Sequence, residues 1–143
     1  MVGTPLSPCL ESRKKRIIKI INNSYSPYSQ FKVAANLLTE CGEQFDGVNI
    51  ENSSYSLTLC AEAAAISSMV SKIGPNAKIK NIIIANDKGT FCPPCGACRQ
   101  RLSEFSTDDT EVILISISDN RISTHTMSQL LPHKFCSDTL ITS

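Results

Sequence analysis

Apolar positions follow two periods along this chain. In ESRKKRIIKIINNSY, Ile17, Ile18, Ile20 and Ile21 fall on one side of a helix, and the charged run RKKR reads as its solvated start. SYSPYSQ ends that helix, because proline lacks a backbone N–H and biases the residue before it toward extended structure. FKVAANLLTE and QFDGVNI are β-type runs split by CGE, whose glycine suits a tight turn, so they are expected as antiparallel neighbours. LCAEAAAISSMVSKI is rich in helix formers and stops at Gly74-Pro75. KIKNIIIAND is a short β-branched run suited to a strand covered on both faces. CGACRQRLSEF then reads as a second helix and EVILISIS as another buried strand. DNRIST supplies a turn and a last strand, and MSQLLPHKF a short helix halted by Pro132.

This order, a hairpin followed by α-β-α-β, predicts an α/β fold: a three-layer α-β-α sandwich around a five-stranded mixed central sheet. With 143 residues and 41% hydrophobic content, the chain suits one domain spanning residues 1–143, with residues 1–10 expected as a flexible N-terminal segment.

Charge narrows the partners. Fourteen Lys and Arg against thirteen Asp and Glu leave +1, which gives no general electrostatic reason to bind nucleic acid or an anionic membrane. Apolar runs fall far short of the roughly 20 residues that span a bilayer, and MVGTPLSPCLESRKKR lacks an apolar signal core, so a cytoplasmic location is expected.

Seven cysteines are many for this length, and in a reducing compartment clustered cysteines point to metal or catalysis more than to disulfides. Cys9, Cys41 and Cys136 stand alone and read as ordinary thiols. Cys95 and Cys98 are three apart, so a helix opening at Cys95 presents both near one side of its first turn. A redox reading of Cys-Gly-Ala-Cys leaves Cys60-Ala61-Glu62 unexplained. A structural zinc site wants four protein ligands, and only Cys60, Cys95 and Cys98 come together; His125 and His133 need no ligand role. Three thiolates leave one tetrahedral position open, as catalytic zinc requires. Glu62, two residues after Cys60, can then accept a proton without occupying the metal.

C-x-E followed by P-C-x-x-C is the zinc nucleoside and nucleobase deaminase signature. Through YSPYSQFKVAA, NIENSSYS ahead of CAE, PPCGACRQ and LLPHKF, the chain resembles the small homotetrameric all-cysteine class of cytidine deaminases over nearly its whole length. The resemblance implies one Zn²⁺ per chain, a nucleoside substrate, and a role in pyrimidine salvage. It places Asn49 and Glu51 on the ribose hydroxyls, and Phe31 and Ala61 at the nucleoside. It places Phe135 at the pyrimidine of a neighbouring subunit, so that active sites are shared within a homotetramer. The expected reaction is hydrolytic deamination of cytidine and deoxycytidine.

One position departs from the family. The family has arginine after the catalytic glutamate, where its guanidinium is understood to offset thiolate charge; here Ala63 stands. Three thiolates and Zn²⁺ sum to −1, and Arg99 with the two helix N-termini is the expected partial compensation. Three other functions remain open at this point: deamination of a cytosine-bearing antibiotic such as blasticidin S, a catalytically weak, zinc-stabilised nucleoside-binding oligomer, and a thioredoxin-like dithiol protein.

Overall fold

The structure, a computed structural model, describes residues 5–141. Its elements are α1 (Pro8–Ile21), β1 (Val33–Thr39), β2 (Gln44–Val48), α2 (Ala61–Ile73), β3 (Ile79–Asn86), α3 (Gly96–Glu104), β4 (Glu111–Ile115), β5 (Ile122–Thr126) and α4 (Met127–Leu130). The five strands form one mixed sheet in the order β2-β1-β3-β4-β5. β1 lies antiparallel to both β2 and β3, β3 runs parallel to β4 across the α3 connection, and β5 returns antiparallel to β4.

The largely apolar runs of β1, β3 and β4 follow from this placement, since alternate side chains enter two different cores. Leu37, Ile82, Ile84 and Leu114 face Ala65 and Met69 of α2 and Leu102 of α3. Ala34, Ile83, Ala85 and Ile113 face Ile17 and Ile21 of α1. Helices therefore cover the sheet on both sides, and the three-layer sandwich expected from the pattern is what forms. The β1–β2 hairpin turns at Gly42, whose φ of +90° favours a residue without a side chain.

Three expectations need correction. Residues 8–10 are helical rather than flexible: Pro8 opens α1, and the Ser7 hydroxyl accepts the Leu10 N–H at 3.3 Å. Residues 1–4 of that expected segment lie outside the described residues. The run EVILISIS leaves the sheet after Ile115, where the Ser116 N–H bonds the Arg121 carbonyl and the chain turns into β5.

The third correction concerns RKKR, of which only Lys15 and Arg16 are solvated. Lys14 is buried, with its ammonium on Asn120 Oδ1, and Arg13 is only 2% exposed. Arg13 Nε donates to Asn36 Oδ1 at 2.5 Å, Nη1 to Asn81 Oδ1 at 2.5 Å, and Nη2 to the Asn36 carbonyl at 2.8 Å. Asn36 donates onward to Asp46 Oδ1 at 2.8 Å. Burial lowers the Arg13 pKa to about 10, which still leaves it charged at neutral pH. A buried guanidinium of this kind persists because its donors are met by fixed oxygens.

Candidate active site

Two helix N-termini converge on one spot. Cys60 is the residue before the first turn of α2, Cys95 the residue before α3, and Cys98 lies within the first turn of α3. Their Sγ atoms all lie within 4.8 Å of one another, and Cys98 is fully buried. Tetrahedral zinc with Zn–S bonds of about 2.3 Å sets sulfurs about 3.8 Å apart, so this donor set fits one ion with little movement. Neither histidine joins it: His125 is on β5 opposite Val112, and His133 is exposed.

The electrostatics also favour a cation. Burial raises the thiol pKa of Cys60 and, much further, that of Cys98. At Cys95 burial acts in the same direction, but hydrogen bonds from the Cys98 and Ala97 backbone and from the neighbouring thiols outweigh it, and the pKa falls. Three thiolates packed this closely without a counterion repel one another, and a divalent ion removes that penalty.

Glu62 stands in the first turn of α2 and is 4% exposed. Burial raises its carboxyl above the ordinary range, opposed by its backbone, by Cys98 and by the charge of Arg101. A buried carboxyl with a raised pKa, facing a cavity, is the arrangement of a proton carrier. That cavity, of about 170 Å³, is walled by Cys60, Ala61, Glu62 and Cys95 with Val33, Asn49, Thr58, Cys92 and Pro93. Thr58 also lines an adjoining outer hollow of about 410 Å³ with Tyr28, Ser29, Glu51 and Tyr55. The two hollows adjoin at Thr58 and together make up a recess whose inner part is lined mostly by apolar surface.

The ends of this recess are held by the two expected sugar residues. Asn49 Oδ1 accepts the Val33 N–H at 2.9 Å and the Ser24 hydroxyl, and Nδ2 donates to the Phe31 carbonyl at 2.9 Å. One of its two amide hydrogens remains for a ligand. Glu51 Oε1 accepts the N–H groups of Tyr28 at 3.0 Å and Ser29 at 3.1 Å. The Ser29 side chain and these backbone groups hold the Glu51 carboxyl below the usual range.

Other expected site residues lie differently. The Phe31 side chain is half-buried against the core beneath α2 rather than among the cavity walls. Phe135 is 56% exposed, and its carbonyl is held by Gln100 Nε2 at 2.9 Å. Arg99 Nε donates to the Pro94 carbonyl at 2.9 Å and Nη1 to the Leu130 carbonyl at 3.0 Å, so its donors brace the loop before Cys95. Sequence reasoning missed Thr58, Cys92, Val33 and Pro93 as walls. Their adjacency to Cys60, Cys95 and the start of β1 is the signal that was available. Burial pushes the Cys92 thiol up to about 11, so it is a neutral wall group.

A buried carboxyl beside three convergent thiols, all at helix N-termini over a mixed sheet, defines a zinc hydrolase of the base-deaminating kind. The pattern of the cytidine and deoxycytidylate deaminase zinc-binding region matches residues 4–114, and the chain belongs to that family. It is 44% identical over 119 residues to a probable cytidine deaminase of Dictyostelium discoideum, covering 82% of this chain and 78% of that one. It is 41% identical over 123 residues to the cytidine deaminase of Mycoplasma pneumoniae, covering 85% and 90%. Among solved structures it is similar to the cytidine deaminase of Burkholderia pseudomallei, with a TM-score of 0.78 and 31% identity over 91% of this chain and all of that one.

Proposed function

We propose that this protein deaminates cytidine and deoxycytidine hydrolytically, giving uridine or deoxyuridine and ammonia. The observation that carries this reading is the placement of buried Glu62 in the same small cavity as Cys60 and Cys95. The names of its relatives, cytidine deaminases throughout those cited above, support it.

Cys60, Cys95 and Cys98 hold the zinc. Zinc so held lowers the pKa of water toward neutrality and supplies the nucleophile for C4 of the base. Glu62 carries the protons: it takes one as the nucleophile forms and places it on N3, which prevents negative charge from building on the ring. It then takes the proton of the new C4 hydroxyl and delivers it to the departing amine, so that the carbonyl forms as the C4–N bond breaks and ammonia leaves. Its low exposure keeps bulk water from competing for those transfers. The remaining Asn49 amide hydrogen and the outward Glu51 oxygen suit the sugar hydroxyls, as a donor and an acceptor at the mouth.

The assembly we propose is a homotetramer with shared sites. Tyr25, Tyr28, Ile50, Tyr55 and Leu57 are all exposed, Tyr55 at 74%, and the Tyr28 and Tyr55 rings meet edge-on at 5.7 Å beside the recess. Such an apolar collar is suited to burial against another copy. Phe135 is then free to enter a neighbour's recess. Seven free thiols and the family chemistry fit a cytoplasmic enzyme of pyrimidine salvage.

Zinc analysis and loss of cytidine absorbance on the purified protein test the reaction, before and after a chelator. One zinc per chain with chelator-sensitive turnover is expected; stoichiometric zinc with no turnover of either nucleoside refutes it.

A further inference from the structure

Gly47 lies on the face of β2 that meets α2. β2 alternates between half-buried and buried positions, with Phe45 and Gly47 pointing inward. Gly47 is not a left-handed glycine, so conformation does not require it there. Space does. A Cβ at this position sits 2.2 Å from the Ala61 carbonyl oxygen, 2.5 Å from the Ala65 nitrogen and 3.0 Å from the Ala64 Cβ. Two of these three atoms are backbone, so no change of rotamer makes room.

The contact lies at one end of α2 only. Ala61 and Ala65 are one turn apart and both buried, which brings the helix backbone down onto the strand. Two residues back along β2 the large Phe45 ring fills the same face, with the Lys72 ammonium 5.9 Å from its centre. β2 therefore presents bulk toward the C-terminal end of α2 and none toward its start. Ala61 is the residue between Cys60 and Glu62 in the sequence.

We infer that Gly47 is a positioning residue: its missing side chain seats the first turn of α2 on β2 and so holds Cys60 and Glu62 in register with Cys95 and Cys98 of α3. This rests on the reading of the three thiols as the zinc site, and not on the identity of the substrate. Restoring ordinary contact at Gly47→Ala requires the Ala61 carbonyl to recede from 2.2 Å to at least 3.4 Å. Metal–ligand distances tolerate only about 0.2 Å, and misplacing a reacting group by about 1 Å costs on the order of 100-fold in rate.

The experiment compares zinc-loaded Gly47→Ala with Gly42→Ala. At Gly42 a new Cβ meets nothing within 4 Å, but the φ of +90° strains any other residue, so this control loses stability away from the site. Thermal melting, competition for zinc by a chelator, the absorption spectrum of the cobalt-substituted protein, and kcat and KM for cytidine are measured on both. Gly47→Ala is expected to fold, to hold zinc at least about tenfold more weakly, to shift the cobalt ligand-field bands, and to lose about 100-fold in kcat. Gly42→Ala is expected to keep wild-type values for all but stability. A Gly47→Ala protein with wild-type zinc affinity and cobalt spectrum overturns the inference. So does one that fails to fold where Gly42→Ala folds, since the residue then serves the sheet as a whole. Wild-type protein that binds zinc without deaminating cytidine would refute the proposed reaction, while the zinc and cobalt readouts would still decide this question.

Discussion

Cys60 and Cys95 occupy the same place on two different helices: each immediately precedes the first turn, and the Cys60 side chain bonds none of the N–H groups of its own helix. Both thiols turn instead toward Cys98 and each other. A capping interaction has been given up at Cys60, and metal binding accounts for it. Helix N-termini carry partial positive charge, which additionally favours thiolates there.

Cys60→Ser separates the two roles. Serine is a favoured N-cap, worth about 0.5–2 kcal/mol over a residue that cannot cap. Metal-free Cys60→Ser is expected to melt at or above metal-free wild type, yet to gain nothing when zinc is added, whereas wild type gains several degrees. Melting curves with and without chelator check this; a zinc-dependent gain equal to wild type would argue against Cys60 as a ligand.

Glu51 yields a dependence on pH. Its folded pKa lies below the ordinary value of 4.5, because the Ser29 side chain and two backbone N–H groups bind the ionised form. Folding thus favours the carboxylate, and the resulting stabilisation is complete above about pH 4.5 and disappears as pH falls through the lower folded value. Wild type is expected to melt above Glu51→Gln at pH 7, with the gap closing as the pH is lowered below 4.5. Taking the difference between the two proteins cancels acid effects common to both.

Arg13 shows where the sequence was opaque. RKKR carries the pattern of a solvated run, and nothing local distinguishes Arg13 from Lys15. The distinction is made by Asn36 and Asn81, which reach it from β1 and β3 after the sheet forms. Arg13→Met keeps the apolar stem but strands those oxygens, and a loss of about 3 kcal/mol, or roughly 10 °C in Tm, is expected. A loss below about 1 kcal/mol would mean water serves the asparagines equally well.

The fold and the thiol cluster were far more legible. Two β-branched runs, a Gly-marked hairpin and two helix stops determine most of the architecture, because each depends on nearest neighbours. The thiol cluster was legible for a chemical reason: few other roles unite Cys60, Glu62 and the Cys95/Cys98 pair. The cavity walls were not, since Thr58, Cys92 and Pro93 carry no chemistry of their own and matter only through where the loops bring them. Equally hidden were the donors of Arg99, which go to the carbonyls of Pro94 and Leu130.

Ala63, where the family has arginine, borders a hollow of about 440 Å³ between α2 and α3, shared with Ser67, Arg101 and Phe105. A larger side chain has space there. Ala63→Arg is expected to fold normally and to hold zinc against a chelator at least as firmly as wild type, because a guanidinium near the thiolates offsets their net negative charge. Chelator competition on matched preparations measures it. Weaker zinc retention in a stably folded variant would show that the native site already has its compensating cation.

Glu62→Gln tests the account most directly. The amide keeps the size of the side chain and removes its ability to take a proton, while leaving Cys60, Cys95 and Cys98 untouched. Metal content and cytidine turnover are to be measured on one preparation. The account predicts one zinc per chain with deamination reduced at least about 100-fold, in line with the 10²–10⁴ that proton transfer contributes. Turnover near the wild-type rate with zinc in place would contradict it.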